Sequence, residues 1–423
     1  MARVSQPERV LTDAAPADAG RRWLLAARTP LLVLLVLGLV SSISLTQVTL
    51  ALLAVWLGLA RRAGIVARLR LPLAVPLVLF VAWTVVAALA SDDPRDSLAT
   101  CKNLLNLVGL WIVASTLEDA RAARRFLAGL ALALGVVAVL AIVQVGACPA
   151  EPPAASYGRV IVNFFRHCQR AHGFFSIYMT LAGVLVMLLT ATLPRLLRLE
   201  GVRVVAPVWL VGVVALALTY VRGAWIGLAA GALVVLVSLR RRSVTVLVLI
   251  VVVLAALAAL PRVGERLRTI GSLRDDTTRD RLAMLKTGLS LVRAHPLLGI
   301  GPGQVKRVYP TAAGPEALRR STSHLHDTPL QIAVERGLPG LAAWLAIFAV
   351  FLIHTVRLIR RLPAESADRT LVVGVQAALV AFLVAGLFEY NFGDTEVLLV
   401  MVSLMALPFV VADRPTRPAE DPA

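Results

Sequence analysis

The chain has 423 residues, 58% of them apolar and 16% charged, with a mean hydropathy of +0.81, whereas ordinary soluble proteins carry roughly 45–50% apolar and about 25% charged residues. An ordinary soluble enzyme is excluded. The net charge of +18 comes almost wholly from arginine, yet aromatics make up only 6% and no basic stretch is interleaved with rings as a single-strand nucleic-acid binder requires.

The arginines instead flank apolar runs of about 20 residues, the length that spans a bilayer. The N-terminal arm, residues 1–28, carries Arg3, Arg9, Arg21, Arg22 and Arg28, and the apolar run behind it is too long for the core of a signal peptide. A loose cytoplasmic arm and a retained first helix are expected. Spanning helices are predicted at 29–44, 46–60, 72–90, 102–117, 126–147, 174–193, 205–221, 223–238, 244–260, 338–356, 371–390 and 395–412. Twelve helices put both termini on one side. Lys and Arg concentrate in 1–28, 61–70, 118–125, 195–204, 239–243, 355–370 and the tail 413–423, and thin out to Arg95, Lys102, Arg159, Arg166, Arg170 and Arg222 in the alternate short connections. By the positive-inside rule both termini are cytoplasmic.

Two connections exceed a turn, 148–173 and 261–337, and both fall on the outer face. Cys148 and Cys168 bracket the first, either as a disulfide in an oxidising periplasm or as two buried thiols; Cys101 reads as packing. The second is large enough for a subdomain between the membrane segments 29–260 and 338–412. Within it, Arg279–Ala294 places Leu282, Leu285, Leu289 and Val292 at helical spacing, which predicts an amphipathic helix on the membrane-domain surface.

Charged groups at helix ends are costly unless they line a cavity. Arg222, in Tyr-Val-Arg-Gly-Ala-Trp between two apolar helices, is either a snorkelling arginine against headgroup phosphates or a phosphate clamp whose guanidinium fork matches phosphate oxygens. Arg279 and Arg281 stand two apart, so on a helix only one faces a membrane cavity; Arg281 is the expected one. Gly299-Ile-Gly301-Pro-Gly303 lacks the strand and glycine spacing of a dinucleotide fold and reads as a plain turn. In His324-Leu-His326-Asp327-Thr328-Pro329, Asp327 or Thr328 can cap a short helix that Gly337 ends. His326 then sits at the mouth of a re-entrant helix, where an imidazole that titrates near neutrality suits removal of a hydroxyl proton. No Cys or third His completes a zinc set, so no metal and no cofactor is expected. Glu389, Asn391 and Asp394, between the last two helices, are either a solvated turn or part of acceptor binding.

Taken together, Arg281 through His295-Pro-Leu-Leu-Gly-Ile-Gly-Pro-Gly303 to His326-Asp-Thr-Pro-Leu-Gln-Ile-Ala-Val-Glu335-Arg-Gly337-Leu-Pro-Gly340 resembles the bacterial O-antigen ligase and polymerase superfamily. Arg222-Gly-Ala-Trp and Arg170-Ala-His-Gly-Phe-Phe are similar to further motifs of that family, whereas Asp327 stands where Asn is usual, Met284 where Trp is common, and Tyr220-Val221 replaces a Ser. The resemblance implies an all-α polytopic, GT-C-like membrane protein of about 12 transmembrane helices, with a helical periplasmic subdomain between helices 9 and 10. It implies a glycosyltransferase of the inner membrane that acts on the periplasmic side with an undecaprenyl-diphosphate-linked glycan as donor. Arg222 and Arg281 would bind the leaving diphosphate, with Arg170 and Arg279 as further cationic candidates. His326 would deprotonate or orient the acceptor hydroxyl, Asp327 or Glu335 would hold its tautomer, and His324 would join substrate binding. Lipid A-core is the first-ranked acceptor, because 261–337 carries more basic than acidic residues and suits a phosphorylated core. A second lipid-linked repeat or a protein hydroxyl is the alternative. A solute transporter is the competing class, but it should place ionisable groups near midmembrane, where these helices carry almost none.

Overall fold

A computed structural model describes residues 15–149, 162, 164–165, 167–239, 264 and 276–413. Among these residues no strand occurs, and the chain folds as a polytopic helical bundle. Its elements are α1 (Ala15–Ser41), α2 (Ile43–Arg62), α3 (Ala74–Leu89), α4 (Pro94–Cys101), a 3-10 turn (Lys102–Val108), α5 (Gly109–Thr116) and α6 (Ala120–Gly146). They continue with α7 (Tyr178–Leu197), α8 (Val202–Leu218), α9 (Arg222–Ser238), α10 (Asp276–Ala294), α11 (Val305–Ala312), α12 (Thr328–Arg361), α13 (Ala367–Ala385) and α14 (Thr395–Ala412).

Among the described residues, eight helical segments are long and apolar enough to cross a membrane, and three shorter apolar helices, α3, α8 and α9, stand at positions where the sequence predicts spans. The predicted span 244–260 lies outside the described residues. Two predicted boundaries shift. Residues 15–28, expected as a loose arm, belong to α1, where Trp56 Nε1 donates to Leu24 O at 2.7 Å and Arg28 pairs with Glu118. The span expected at 102–117 starts instead at Pro94, because Asp93 accepts from Asp96 N and Pro94 occupies the first turn, the arrangement that starts helices.

Helix α7 is apolar on every side and buried from Thr180 almost to its end, as expected of a helix at the centre of a bundle. It packs against α8, α9, α13 and α14. Without a hydrophobic force between helices in lipid, close approach depends on small residues. Gly223, Gly227 and Gly231 form such a stripe on α9 facing α13, and a Cβ at Gly227 would stand 2.7 Å from the Ala381 carbonyl oxygen. This contact sets the start of α9 against Phe388, at the end of the α13 connection.

The two ends of the bundle differ. At one end Arg70 bonds Asp413 and the carbonyls of Ala114, Leu117 and Glu118, Arg124 pairs with Asp368, and Arg198 with Glu365. The connections 89–94, 218–222, 294–328 and 385–395 gather at the other. Cys148 and Cys168 are bonded to each other there.

The segment 276–327 has its own small core of Ala283, Met284, Leu291, Val305, Tyr309, Ala317 and Leu325, continued by Leu330 and Val334 of α12. Helix α10 contains the predicted amphipathic helix and starts three residues earlier, at Asp276; Leu282 and Leu285 border a cleft with Arg222 and Ile226 of α9, while a second face is buried in the small core. Leu282, Leu285 and Leu289 are exposed, while Asp280, Ala283, Met284, Thr287 and Leu291 are buried. Asp280 accepts from Leu318 N and Arg319 N, which ties the following loop down.

Candidate active site

Helix α12 begins with a nearly fully buried stretch, Thr328–Arg336, and kinks at Gly337, whose φ of 68° lies in the left-handed region that glycine enters at no steric cost. The predicted short helix ending at Gly337 is therefore present. Two of its C-terminal carbonyls are covered by the glycine-rich turn, where Ile300 N donates to Val334 O at 2.9 Å and Gly301 N to Glu335 O at 3.1 Å, and past the kink Leu338 N donates back to Pro296 O at 2.8 Å. Gly303 N donates to Glu335 Oε1 at 2.9 Å. These amides are committed to α12, so the turn is a helix cover and not a phosphate cradle.

Ahead of the helix, Asp327 caps it by accepting from Leu330 N at 2.8 Å. The loop is latched to the α13–α14 connection by Thr328 N to Gly386 O at 2.7 Å and Thr328 Oγ1 to Glu389 O at 2.8 Å. Leu325 N donates to Gln331 Oε1 at 2.9 Å. Between these anchors His326 adopts a φ of 50°, a left-handed conformation that is uncommon for a residue with a Cβ and persists where surrounding bonds over-determine it.

The latch sets His326 beside Glu389. His326 Nδ1 lies 2.7 Å from Glu389 Oε1, His324 Nε2 lies 3.3 Å from the same oxygen, and Tyr390 N donates to it at 3.2 Å. Burial by itself would raise the Glu389 carboxyl, but the hydrogen bonds from His324 and His326, with their charge, outweigh it and hold it down at about 2. Glu389 is thus a carboxylate, able only to accept. In the neutral form of His326, a proton on Nδ1 donated to Glu389 leaves the ring's lone pair on Nε2.

His326 lines a cleft of about 330 Å³ together with Arg222, Thr278, Arg281, Asp327, Leu282, Leu285, Leu387 and Phe388. Arg222 is the first residue of α9, whose start has no side-chain cap, so the positive end of the helix dipole also faces this region. Arg281 Nη2 stands 3.9 Å from Glu389 Oε2. The three residues predicted to carry chemistry, Arg222, Arg281 and His326, therefore share one cavity although up to 104 positions separate them in the chain.

The remaining predicted residues divide. His324 joins the cluster, its ring centroid 4.3 Å from that of His326. Arg279 points elsewhere, half exposed and 4.0 Å from Asp276, as the two-residue offset from Arg281 requires on a helix. Arg170 lies over the Tyr178 ring at 4.4 Å and lines a separate cavity beside the Cys148–Cys168 disulfide. Glu335 does not reach His326. It is buried and accepts from Gln331 Nε2, Gly303 N and Arg336 Nη1, the last at 2.7 Å. A buried ion pair of this kind organises the turn around it, so a binding role for Glu335 is not supported and the tautomer of His326 is set by Glu389 instead. Asp394 caps α14 and accepts from Thr180 Oγ1 at 2.5 Å, and Asn391 is buried.

The family model described as O-antigen ligase matches residues 206–345. The match includes Arg222, Arg281, His324 and His326, and ends before Glu389. No curated protein matches the chain.

Proposed function

We infer from the O-antigen ligase domain at residues 206–345 that the chain is a member of the O-antigen ligase-like family, and we propose that it is a metal-independent, inverting glycosyltransferase working at the periplasmic face of the bacterial inner membrane. The donor is an undecaprenyl-diphosphate-linked glycan and the first-ranked acceptor is lipid A-core. The observation that carries this reading is the convergence of two guanidinium groups and one carboxylate-held imidazole on a single cleft.

Transfer needs a base for the acceptor hydroxyl and cations where the leaving group develops charge. The acceptor oxygen attacks the anomeric carbon as the bond from that carbon to the diphosphate oxygen breaks. The hydroxyl proton passes to His326 Nε2, and the leaving diphosphate is received by Arg222 and Arg281 at the start of α9. Glu389 stabilises the imidazolium that forms. Displacement in one step inverts the anomeric centre. Leu282 and Leu285 beside the cleft offer an apolar border for the polyprenyl chain, which accounts for their exposure on α10. The disulfide fits an oxidising compartment, and the arginine-rich end of the bundle fits the cytoplasmic side.

Within the family a polymerase or a protein O-oligosaccharyltransferase would use the same cleft with another acceptor. The excess of basic residues in 261–337 favours the phosphorylated core. Purified protein given undecaprenyl-diphosphate glycan in EDTA, with lipid A-core or a second lipid-linked repeat offered separately, decides between them. Glycosylated lipid A-core is the expected product, and a ladder of lipid-linked glycan would make the chain a polymerase instead. A transporter would give no product with either acceptor.

A further inference from the structure

His324, His326 and Glu389 each offer one ligand atom, an imidazole nitrogen or a carboxylate oxygen, and these lie within 4.8 Å of one another. Zinc held tetrahedrally at about 2.0–2.1 Å keeps neighbouring ligand atoms about 3.3 Å apart. His324 Nε2 already stands 3.3 Å from Glu389 Oε1, and the 2.7 Å between His326 Nδ1 and the same oxygen would open by only about half an ångström to meet that geometry. Glu389 is buried, and its Oε2 accepts no hydrogen bond. The two imidazoles are partly exposed, at 31% and 23% of their side-chain surface, which leaves solvent access for a fourth ligand. Two imidazoles and a carboxylate form a donor set for late first-row cations and not for magnesium, which prefers oxygen and keeps its water.

We propose that His324, His326 and Glu389 bind a divalent transition cation, with zinc as the type, and that its binding switches glycan transfer off. The switching half rests on the reading of His326 as the base. Without the cation, the Nδ1–H bond to Glu389 leaves the lone pair on Nε2. When the cation takes Nδ1, that N–H bond gives way to a metal–nitrogen bond, and the neutral ring carries its proton on Nε2. A nitrogen that already bears a proton cannot accept one from the acceptor hydroxyl. Glu389 is also withdrawn from stabilising an imidazolium. Arg281, 3.9 Å from Oε2, repels the cation and places its affinity below that of a dedicated structural site.

The test uses full-length protein in detergent, stripped of metal and titrated with zinc chloride. Equilibrium dialysis gives stoichiometry, and X-ray absorption at the zinc edge gives the ligand set. One zinc per chain, held by two imidazoles and a carboxylate, is expected. His324→Asn should weaken binding by more than the roughly 10–100-fold that loss of an outer-shell partner costs. Transfer by the unaltered protein should fall in step with zinc occupancy, return on chelation, and be indifferent to magnesium. A folded protein that retains no zinc, or a zinc edge showing other ligands, overturns the site whether or not the variant folds. Zinc bound at these ligands with transfer undiminished overturns the switch. Normal transfer by His326→Ala would instead sink the reading of the base and leave the zinc-binding result standing.

Discussion

Glu389 and His326, 63 residues apart in the chain, meet at 2.7 Å through a carboxylate oxygen and Nδ1. The pairing fixes which imidazole nitrogen holds the proton, and it exists because Thr328 is bonded to both Gly386 and Glu389. Glu389→Gln keeps the shape but removes the charge that stabilises an imidazolium. Its kcat should fall by about 10²–10⁴-fold while KM for the lipid-linked donor changes little. Initial rates at varied donor concentration measure this, and an unchanged kcat would reduce Glu389 to a packing role.

Arg222→Lys and Arg281→Lys retain one positive charge but lose the planar fork. Each should lower transfer by roughly 10–100-fold, the equivalent of about 1.5–3 kcal/mol for a hydrogen bond to a charged group. Full activity in Arg222→Lys would favour a snorkelling arginine that touches only headgroups. Arg170→Lys, beside the disulfide and outside the cleft, should change transfer much less than either.

Among the described residues, eight of the predicted spans coincide with helices long and apolar enough to cross a membrane, because runs of about 20 apolar residues leave few alternatives. Less legible were features decided by tertiary contact. Helical spacing located α10 but could not tell that Ala283 and Met284 face the small core while Leu282 and Leu285 face the cleft, since a leucine stripe suits either a core or a lipid chain. Arg281 was separable from Arg279 because a two-residue offset turns a side chain to another face. The sequence offers Asp327 and Glu335 as partners for His326, but Asp327 caps α12 and Glu335 belongs to a buried ion pair. Glu389 was visible only as a polar group in a connection, because no local spacing encodes a bond made by two elements that meet at their ends.

Acid should expose the Glu389 contribution to stability. Its carboxyl is held at about 2 against an ordinary 4.5, so the folded state binds that proton less readily than the unfolded one. The contribution is fully present above pH 4.5 and is lost as the pH falls toward 2. The difference in Tm between the unaltered protein and Glu389→Gln should therefore narrow over that window, as followed by thermal unfolding in detergent. A difference that stays constant there would contradict the depressed value.

Gly227 allows α9 to approach the Ala381 carbonyl. Gly227→Val should overpack this contact and destabilise the bundle by about 1–3 kcal/mol, seen as a lowered Tm in detergent. Because α9 carries Arg222, donor affinity should weaken as well. An unchanged Tm would show that the two helices are not held at this distance.

The Cys148–Cys168 bridge closes a segment with a sequence separation of 20, for which chain entropy gives a stabilisation of about 3 kcal/mol. Intact mass without reductant should be lower by two hydrogens than after reduction and recover on reduction, and the reduced protein should unfold at a lower temperature. Identical masses would show free thiols.

The central claim is that His326 takes the acceptor proton in a cleft where Arg222 and Arg281 hold the diphosphate. The most direct measurement is single-turnover transfer by His326→Ala, with donor binding followed separately on the same folded preparation. The account predicts donor affinity close to that of the unaltered protein and transfer abolished. Transfer at the normal rate, with the donor bound as before, would remove His326 from the chemistry.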